Sequence, residues 1–294
     1  MSILKKLVIF GVGLIGGSVA LALKKAHFVT HIVGVGRSEK SLQQALDLGV
    51  IDSLETSIHA ALEGADLVLI AAPVAQTKTI LQSIKPHLNK QTIITDAGST
   101  KGDVLASARE VLGEQFSQFI GGHPIAGAEK SGVTAAIADL FLGKNVVLTP
   151  ITSPALQTNR DAVLAVTAMW QACGANVREM SAENHDAIFA AVSHLPHLLA
   201  FALVDEIARR VNAEELFSFA ASGFRDFTRI AGSHPEMWRD ISLANKPAIL
   251  SEITAYENEL SQLKQLLKND DGAGLQALFE RASVVRNNWA NGKK

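Results

Sequence analysis

Three glycines near the N-terminus constrain the fold of this chain more than any other feature. Gly11, Gly13 and Gly16 follow an apolar segment and open an apolar helical pattern. In such a strand–turn–helix, the first glycine permits a tight turn, the second lets the backbone approach a pyrophosphate, and the third lets helix and strand pack closely. An ordinary glycine-rich turn is the alternative. The strand before the glycines and the helix after them favour a dinucleotide-binding site.

The end of the next predicted strand indicates which dinucleotide the site prefers. An NAD site usually carries Asp or Glu about 20 residues after the glycines, where it binds the ribose hydroxyls. Here that position is Gly36, followed by Arg37 and Ser38. Arg37 could pair with a 2′-phosphate, which favours NADP, whereas a solvated turn arginine would leave NAD open. The predicted cofactor contacts are Gly11, Gly13, Leu14, Ile15, Gly16, Arg37 and Ser38.

Short apolar runs alternate with helical patterns through the first 180 residues. This alternation predicts βαβ units on a parallel sheet that helices cover on both faces. The predicted strands are Lys6–Gly11, His31–Val35, Leu67–Ala71, Thr92–Thr95, Phe119–Gly121, Val146–Thr149 and Asn176–Glu179. The predicted helices are Gly16–Ala26, Glu39–Leu48, Thr77–Ile84, Lys101–Leu112 and Pro154–Cys173.

The pattern changes near Ser181, after which apolar residues recur at helical spacing and no strand is predicted. The predicted helices there are Asp186–Val211, Pro247–Leu267 and Leu275–Trp289. Pro196 is expected to interrupt the first of them. Ser233 is expected to cap a further helix that has Pro235 in its first turn.

These patterns give the fold class and the domains. We expect an α/β protein, with an N-terminal Rossmann-type doubly wound sheet in residues 1–180. An all-helical C-terminal domain is expected in residues 181–294. At 294 residues the chain has room for both domains.

Composition narrows the partners and the compartment. The formal net charge of −2 gives no indication of a nucleic-acid partner, since such proteins usually carry a strongly basic face. Cys173 is the only cysteine, so no intramolecular disulfide can form and a reducing compartment fits. Glycines interrupt the uncharged run Leu7–Leu23, which is shorter than the about 20 residues of a membrane span. We therefore expect a cytoplasmic protein with no nucleic-acid or membrane partner.

Two segments lie just beyond predicted strand ends, where open α/β sheets bind ligands. They are Asp96–Gly102 and Gly121–Gly127. His123, in the second segment, could exchange a proton near neutral pH, or it could be a turn histidine that bonds its own loop. Ser99, in the first segment, could contact a ligand or cap the following helix.

The helical half carries further candidate ligands. His194 and His197 share a helical face at a spacing that could suit a metal. No nearby Asp, Glu or Cys completes an obvious shell, so we expect no metal. Arg225 and Arg229 could present two guanidinium groups to carboxylates. Alternatively, one of them forms a surface ion pair with Asp226 or Asp240.

Five motifs occur in an order that identifies a family. They are GVGLIGGS near the start, DAGSTKG at 96–102, GGHPIAGAEKSG at 121–132, SHLPH at 193–197 and GFRDFTRIAGSHPEMWRD at 223–240. Together they resemble the prephenate/arogenate (cyclohexadienyl) dehydrogenases of tyrosine biosynthesis. The glycine fingerprint alone is not specific, but the combination is.

The resemblance implies an NAD(P)-dependent enzyme that oxidatively decarboxylates prephenate or arogenate to 4-hydroxyphenylpyruvate or tyrosine. It implies that His123 takes the proton of the substrate hydroxyl. Ser99 would orient His123, that hydroxyl or the nicotinamide. Arg229 would bind a substrate carboxylate, with the ring carboxylate favoured.

The resemblance also implies roles for the other substrate contacts. His197 would contact the substrate, and Trp238 would shape the pocket. Glu129 would act as a polar gate that pairs with an arginine, and Arg225 would support the loop that holds Arg229. Members of the family form homodimers through the helical domain, so a small-molecule substrate and a second copy of the chain are the expected partners.

Two other functions are weighed against this one. A β-hydroxyacid dehydrogenase or imine reductase pairs the same two kinds of domain, but a β-hydroxyacid enzyme should carry a catalytic lysine in the second domain. No lysine occurs between Lys144 and Lys246. A redox sensor that reads NADPH would not need His123, Arg229 and His197 together. The choice between prephenate and arogenate stays open.

Overall fold

The computed structural model of the chain describes residues 4–128, 130–152 and 157–292. Two compact units divide the chain, Met1–Lys246 and Pro247–Lys294. The first unit contains a sheet, the helices around it and a set of shorter helices after the last strand, whereas the second contains two long helices. The candidate site residues that the structure describes all lie in the first unit.

A sheet of eight strands, counted over the described residues, forms the centre of the first unit. The strands are β1 (Leu4–Phe10), β2 (Val29–Val35), β3 (Ser53–Leu54), β4 (Leu67–Ile70), β5 (Ile93–Asp96), β6 (Phe119–Pro124), β7 (Asn145–Thr149) and β8 (Asn176–Glu179). Their order across the sheet is β3-β2-β1-β4-β5-β6-β7-β8. The order runs outward in both directions from β1 and β4, as in doubly wound dinucleotide-binding folds. The predicted Rossmann-type sheet is confirmed.

The central strand β1 shows why the sheet reads as continuous apolar runs. Leu7, Val8 and Ile9 are fully buried. Leu7 and Ile9 belong to one core cluster, whereas Val8 and Phe10 belong to another. Because successive side chains of a strand point to opposite faces, the two clusters lie on opposite faces of the sheet. Each of these side chains contributes about 1.5–3 kcal/mol through burial.

The prediction of a parallel sheet is wrong at β7. β6 and β7 pair antiparallel, with His123 opposite Val147. Within the described part of residues 125–144, the connection forms only a 3₁₀ turn, Val133–Ala135. Parallel strands need a crossover, usually through a helix, and this connection contains none in its described part. The pairing also extends β6 to Pro124. His123 therefore lies on the strand, whereas the sequence predicted it in a loop beyond the strand.

Six helices, counted over the described residues, surround the sheet: α1 (Leu14–Lys25), α2 (Glu39–Asp47), α3 (Ile58–Leu62), α4 (Thr77–Ile84), α5 (Gly102–Leu112) and α6 (Arg160–Ala172). The predicted helix Pro154–Cys173 is wrong at its start. Pro154 lies outside the described residues, and α6 begins at Arg160 because the Asn159 side chain accepts a hydrogen bond from the Asp161 N–H (2.9 Å). Sequence reasoning also missed β3 and α3, which are too short to produce a periodic pattern.

A run of shorter helices follows β8 in the first unit. They are α7 (Ala182–Phe189), a π-helical turn (Ala190–His194), α8 (Leu195–Ala208), α9 (Ala213–Ser218), α10 (Ser222–Thr228) and α11 (Pro235–Ala244). The predicted interruption around Pro196 is confirmed as the π turn before it, since proline donates no N–H to the preceding turn. Ser233 does not cap α11. The cap position is His234, and the Ser233 hydroxyl donates to the Ile230 carbonyl oxygen (2.8 Å).

The stretch Ala182–Ala208 is long and apolar enough to cross a membrane by length and composition. It has 27 residues, and its most apolar window has a mean hydropathy of 1.9 with 28% of the window buried. However, the stretch also carries His185 and His194, which are 0% and 1% exposed and bond to other elements of the first unit. We therefore interpret it as a helical stretch packed on one side against the first unit, whose exposed apolar side chains suit another protein surface.

The second unit consists of α12 (Lys246–Lys268) and α13 (Gly272–Asn291), close to the predicted ranges. The Asp271 side chain caps α13 by accepting a hydrogen bond from the Gly274 N–H (2.8 Å). Large apolar side chains are exposed on both helices, among them Leu260, Phe279 and Val285. Such exposed apolar surface is typical of a protein–protein interface.

Candidate active site

The glycine fingerprint lies between β1 and α1, and its glycines meet different steric demands. Gly11 has a φ of +93°, and a Cβ there would lie 2.7 Å from the carbonyl oxygen of Ala71, so only glycine fits. A Cβ at Gly16 would lie 2.9 Å from Cγ2 of Ile9, because α1 packs closely on β1. A Cβ at Gly13 would meet no described atom within 4 Å. The fold does not require glycine at position 13, whereas a pyrophosphate at the start of α1 would.

The other predicted cofactor residues lie at two helix starts. Leu14 and Ile15 form the first turn of α1, which carries no acidic side chain and whose N–H groups lack intrahelical acceptors. Arg37 and Ser38 follow β2 and are exposed. The Ser38 hydroxyl accepts a hydrogen bond from the Ser41 N–H (3.2 Å), so it caps α2. The start of α1 therefore fits an anionic ligand, whereas the first turn of α2 carries Glu39.

A buried ion pair ties the two ligand segments together. Lys101 is 0% exposed and Asp96 is 1% exposed, and the ammonium donates to the carboxylate. The same ammonium donates to the carbonyl oxygen of Gly122 (2.7 Å). The Asp96 carboxylate also accepts from the N–H groups of Gly98 (2.8 Å) and Gly122 (3.0 Å). These bonds fix the segment after β5 against β6, next to His123.

His123 begins a series of three bonded side chains, which we call the histidine chain: His123, His185 and Asp186. Nδ1 of His123 lies 2.8 Å from Nε2 of His185. Nδ1 of His185 lies 2.8 Å from Oδ1 of Asp186. Asp186 also accepts from the N–H groups of Lys101 (2.9 Å) and Gly102 (2.8 Å) at the start of α5. The histidine chain therefore links β6, α7 and α5.

Burial and charge set the protonation states of the histidine chain. Burial lowers the pKa of His123 well below its ordinary value, and the charges of His185, Lys101 and His194 act in the same direction. Burial also lowers the pKa of His185, against the hydrogen bond to Asp186. For Asp186, burial acts to raise the pKa, but hydrogen bonds from His185 and two backbone N–H groups prevail and lower it. At neutral pH both imidazoles are neutral and Asp186 is a carboxylate.

A second group, which we call the tryptophan pair, consists of His197 on α8 and Trp238 on α11. Their rings stack with centroids 3.7 Å apart. Nδ1 of His197 lies 2.8 Å from the carbonyl oxygen of Ser193, so it carries the hydrogen and leaves Nε2 as an acceptor. The Trp238 indole nitrogen is buried and has no hydrogen-bond partner within the described chain. Burial lowers the pKa of His197 and the charge of Arg229 acts in the same direction, against the hydrogen bond to the Ser193 carbonyl oxygen.

His194 and Asn245 connect the histidine chain with the tryptophan pair. The Asn245 amide donates to Nδ1 of His194 (3.1 Å) and to the carbonyl oxygen of Asp186 (2.8 Å). The His194 ring makes an edge contact with Trp238, with centroids 6.1 Å apart. Burial lowers the pKa of His194 to about 4. The structure thus gathers His123, His197 and Trp238, three of the predicted site residues, into one connected cluster.

The predicted arginines lie at a more exposed place. Arg225 is on α10 and Arg229 begins the 3₁₀ turn Arg229–Gly232, and both are exposed. Asp240, considered as an ion-pair partner for one of them, pairs with Arg239 (2.6 Å). The arginines therefore stand at the solvent side of the helical segment.

Ser99 is half-buried in the segment between Asp96 and Lys101, which the buried ion pair holds in place. Glu129 lies outside the described residues. Among the described residues, no group of three or more side chains could hold a metal ion.

Sequence reasoning missed five residues of this cluster and of the ion pair beside it: Asp96, Lys101, His185, Asp186 and Asn245. Asp96 and Lys101 belong to the DAGSTKG motif at 96–102. Two opposite charges beside a predicted buried strand were the signal that could have revealed their ion pair. His185 and Asp186 lie at the start of the long apolar helical pattern. Nothing local indicates that His185 meets a residue 62 positions away.

Comparison with known proteins gives two family matches. The family model described as "Prephenate dehydrogenase, nucleotide-binding domain" matches residues 19–179. The model described as "Prephenate dehydrogenase, dimerization domain" matches residues 181–281. The histidine chain and the tryptophan pair fall within the matched residues.

Individual relatives agree over nearly the whole chain. The chain is 40% identical to the prephenate dehydrogenase of Bacillus subtilis over 278 residues, which covers 94% of this chain and 74% of that protein. It is 32% identical to the cyclohexadienyl dehydrogenase of Zymomonas mobilis, with coverage of 97% and 96%. A crystal structure of prephenate dehydrogenase from A. aeolicus, in complex with hydroxyphenyl propionate and NAD⁺, matches with a TM-score of 0.91 and 38% identity over 97% of this chain and 98% of that chain.

Proposed function

The chain belongs to the prephenate dehydrogenase family, and we propose that it oxidatively decarboxylates prephenate, arogenate or both, with hydride transfer to NAD(P). The products are 4-hydroxyphenylpyruvate and tyrosine. The observation that carries this proposal is the histidine chain, which holds a neutral imidazole at the edge of the sheet where the glycine fingerprint also lies. His123 keeps part of its surface exposed, so a substrate can reach it.

His123 acts as the proton acceptor. When bound, the oxidised nicotinamide supplies the acceptor for the hydride of the ring carbon that bears the hydroxyl. Neutral His123 takes the proton of that hydroxyl, and Ser99 orients the imidazole, the hydroxyl or the nicotinamide. Carbon dioxide then leaves and the ring becomes aromatic. Because the last step is effectively irreversible, alignment and removal of one proton are the main tasks of the protein.

Arg229 and the tryptophan pair bind the substrate in this proposal. A guanidinium group stays charged at all working pH values and can hold a carboxylate through two hydrogen bonds. Nε2 of His197 is an acceptor, and the buried Trp238 indole is a donor, so the pair can bind polar groups of the substrate. Glu129 as a polar gate and Arg225 as a support for Arg229 complete the proposed substrate site.

The glycine fingerprint fits a nicotinamide dinucleotide, since Gly13 leaves open the space that a pyrophosphate would fill. We propose a preference for NADP, because Gly36 puts no carboxylate at the end of β2 and Arg37 follows it. A side chain at Gly36 has room, with its Cβ 3.5 Å from the nearest atom of Leu42. Gly36→Asp is therefore expected to reverse the preference toward NAD, and Arg37→Ala to weaken NADP binding about tenfold. Equal affinities in both variants and the parent protein would contradict the NADP preference.

We further propose that the protein is a homodimer and that its two predicted domains have different roles. Residues 1–180 bind the dinucleotide, and residues 181–294 contribute substrate contacts and the dimer interface. The exposed apolar side chains of Ala182–Ala208, α12 and α13 support this assignment, as does the description of the second family model. A cytoplasmic location fits the single cysteine, Cys173, which is buried as a free thiol.

A four-way rate assay tests the proposed function. Purified protein is given prephenate or arogenate with NAD or NADP, and the absorbance of the reduced nicotinamide is followed. Turnover in at least one combination is expected, and the fastest combination identifies substrate and cofactor. If no combination turns over while the cofactor still binds, the chain does not have this activity.

A further inference from the structure

His185 and Asp186 are linked to His123 by two consecutive hydrogen bonds. His185 is fully buried and Asp186 is largely buried, with 13% of its side chain exposed. The Asp186 carboxylate accepts hydrogen bonds from His185 and from two backbone N–H groups of another element. An ionised carboxylate is only an acceptor, so Nδ1 of His185 carries its hydrogen.

The tautomer of His123 follows from that of His185. Since neutral His185 carries its hydrogen on Nδ1, its Nε2 has a lone pair and can only accept. Nδ1 of His123, 2.8 Å away, is therefore the donor. The basic nitrogen of His123 is then Nε2, on the other side of the ring. We propose that His185 and Asp186 are positioning residues that fix His123 in the tautomer whose Nε2 accepts the substrate proton. This inference rests on the proposed function.

The same pair stabilises the product of proton transfer. As the O–H bond of the substrate breaks, its proton bonds to Nε2 of His123, and the electron pair left on oxygen forms the carbonyl while the hydride leaves from the same carbon. His123 becomes an imidazolium, whose Nδ1–H bond to His185 strengthens. The Asp186 carboxylate compensates the new positive charge through His185.

The charged groups around His123 act on its protonation in opposite directions. Lys101, held by Asp96 on the side of β5, opposes protonation, and so does a charge on His194. Asp186, on α7, is the carboxylate that favours it. The ring of Phe189 packs against both imidazoles, with centroids 4.8 Å from His123 and 4.5 Å from His185. Phe189 covers the bond between the two imidazoles with an apolar ring.

Asp186→Asn tests the proposal with little change in shape. The two N–H groups at the start of α5 bind different oxygens of the Asp186 carboxylate, so the amide keeps an acceptor for one of them and loses the charge and the fixed acceptor for His185. We expect kcat to fall about 10²-fold or more, with little change in KM or in cofactor Kd. The acid limb of the pH profile of kcat should shift to lower pH, because the imidazolium loses its counter-charge. Glu183→Gln, an exposed carboxylate on the same helix, is the matched control and should change neither value.

Two variants of His185 separate positioning from folding, since they leave the Asp186 bonds to α5 intact. His185→Phe keeps an aromatic ring but offers no acceptor to His123, and it should lower kcat as strongly as Asp186→Asn. His185→Gln offers an amide oxygen that can accept from Nδ1 of His123, and it should recover part of the loss. Equal loss in the two variants would contradict a positioning role.

The tautomer can be observed without any substrate. In protein with ¹⁵N-labelled histidine, the two ring nitrogens differ in chemical shift according to which carries the hydrogen, and the His123→Asn spectrum assigns the signals. We expect the hydrogen on Nδ1 of His123 in the parent protein and a mixture or the other tautomer in His185→Phe. A hydrogen on Nε2 in the parent protein would overturn the proposal. A parent protein with the expected tautomer but no turnover would instead count against the proposed function.

Discussion

The histidine chain and the arginine segment, Arg225–Gly232, differ in how completely the chain holds them. His185 is buried, Asp186 is largely buried, and consecutive hydrogen bonds link both to Nδ1 of His123, while a buried ion pair fixes the neighbouring backbone. The arginine segment consists of the last four residues of α10 and the 3₁₀ turn that follows, and both arginines are exposed. The fold thus positions His123, the proposed proton acceptor, whereas Arg225 and Arg229, the proposed carboxylate-binding side, face solvent.

This difference assigns different consequences to the two regions. Groups that the fold holds in place before substrate arrives contribute to the transition state without further reorganisation. Exposed cations mainly attract and hold the substrate. Changes in the histidine chain should therefore affect kcat and stability, and changes in the arginine segment should affect KM.

The largest expected effect is that of His123→Asn. The amide cannot accept a proton, so kcat should fall about 10²- to 10⁴-fold, the usual contribution of a general base. Cofactor affinity should stay as it is, because the fingerprint follows β1, which β4 and β5 separate from β6. Steady-state kinetics and a binding titration with NADPH measure both quantities. An unchanged kcat would remove His123 from its role as proton acceptor.

Lys101→Met tests how much the buried Asp96–Lys101 ion pair, next to the histidine chain, stabilises the fold. It leaves the Asp96 carboxylate buried without its counter-ion and should lower the free energy of unfolding by about 3–5 kcal/mol. Lys78→Met is the matched control, since Lys78 pairs with Glu110 at 2.7 Å on the surface, with 44% and 64% of the side chains exposed. That variant should lose less than about 1 kcal/mol. Urea unfolding measures both, and similar losses would show that burial of the pair is not what stabilises this region.

Acid should lower the free energy of unfolding, because the four buried histidines take up protons more readily in the unfolded chain. Burial keeps the four histidines His123, His185, His194 and His197 neutral by lowering their pKa values. The unfolded chain therefore binds protons at a higher pH than the folded chain. The stability contribution is complete above about pH 6.5. It decreases as the pH falls toward about 4, where folded His194 itself titrates.

The variant His194→Gln isolates this effect. Urea unfolding at pH 7.5, 6 and 5 should show a steady loss of stability in the parent protein. The variant should show a smaller loss across the same range, because one of the protonation sites is gone. Identical pH dependence in the two proteins would contradict the account of His194.

Arg229→Ala should have the smallest of these effects and should act on binding. Loss of a charged hydrogen-bonding group typically costs about 1.5–3 kcal/mol, which raises KM roughly 10- to 100-fold. The fold should be unaffected, with an unchanged unfolding midpoint. Arg209→Ala is the control, because Arg209 is a surface arginine that pairs with Asp205 on α8. A flat KM for Arg229→Ala would place Arg229 outside the substrate site.

The sequence predicted the features that depend on local patterns. The strands were visible because both faces of the sheet are buried, and the glycine fingerprint, the proposed site of cofactor binding, was visible because its glycines stand at fixed spacing. The family resemblance drawn from five motifs is confirmed by the family models and by relatives over nearly the whole chain. The cofactor is confirmed as far as a nicotinamide dinucleotide.

The features that the sequence did not reveal depend on contacts between distant residues. The antiparallel pairing of β7 follows from a connection that lacks a crossover in its described part, and it moved His123 from a loop onto a strand. The buried Lys101 looks like a surface residue in any hydropathy pattern. His185 and Asp186 acquire their role only when α7 packs beside β6, which no periodicity specifies.

The coupling of oxidation to loss of the ring carboxylate is the central claim, and its stoichiometry is the most direct test. Prephenate labelled with ¹⁴C in the ring carboxylate is incubated with the protein and NADP, and reduced nicotinamide and labelled carbon dioxide are measured over time. We predict equal amounts of the two at every time point, with both lost together in His123→Asn. Reduced nicotinamide without labelled carbon dioxide would contradict the account, and so would the absence of both products with either cofactor from prephenate and from arogenate labelled in the same carboxylate.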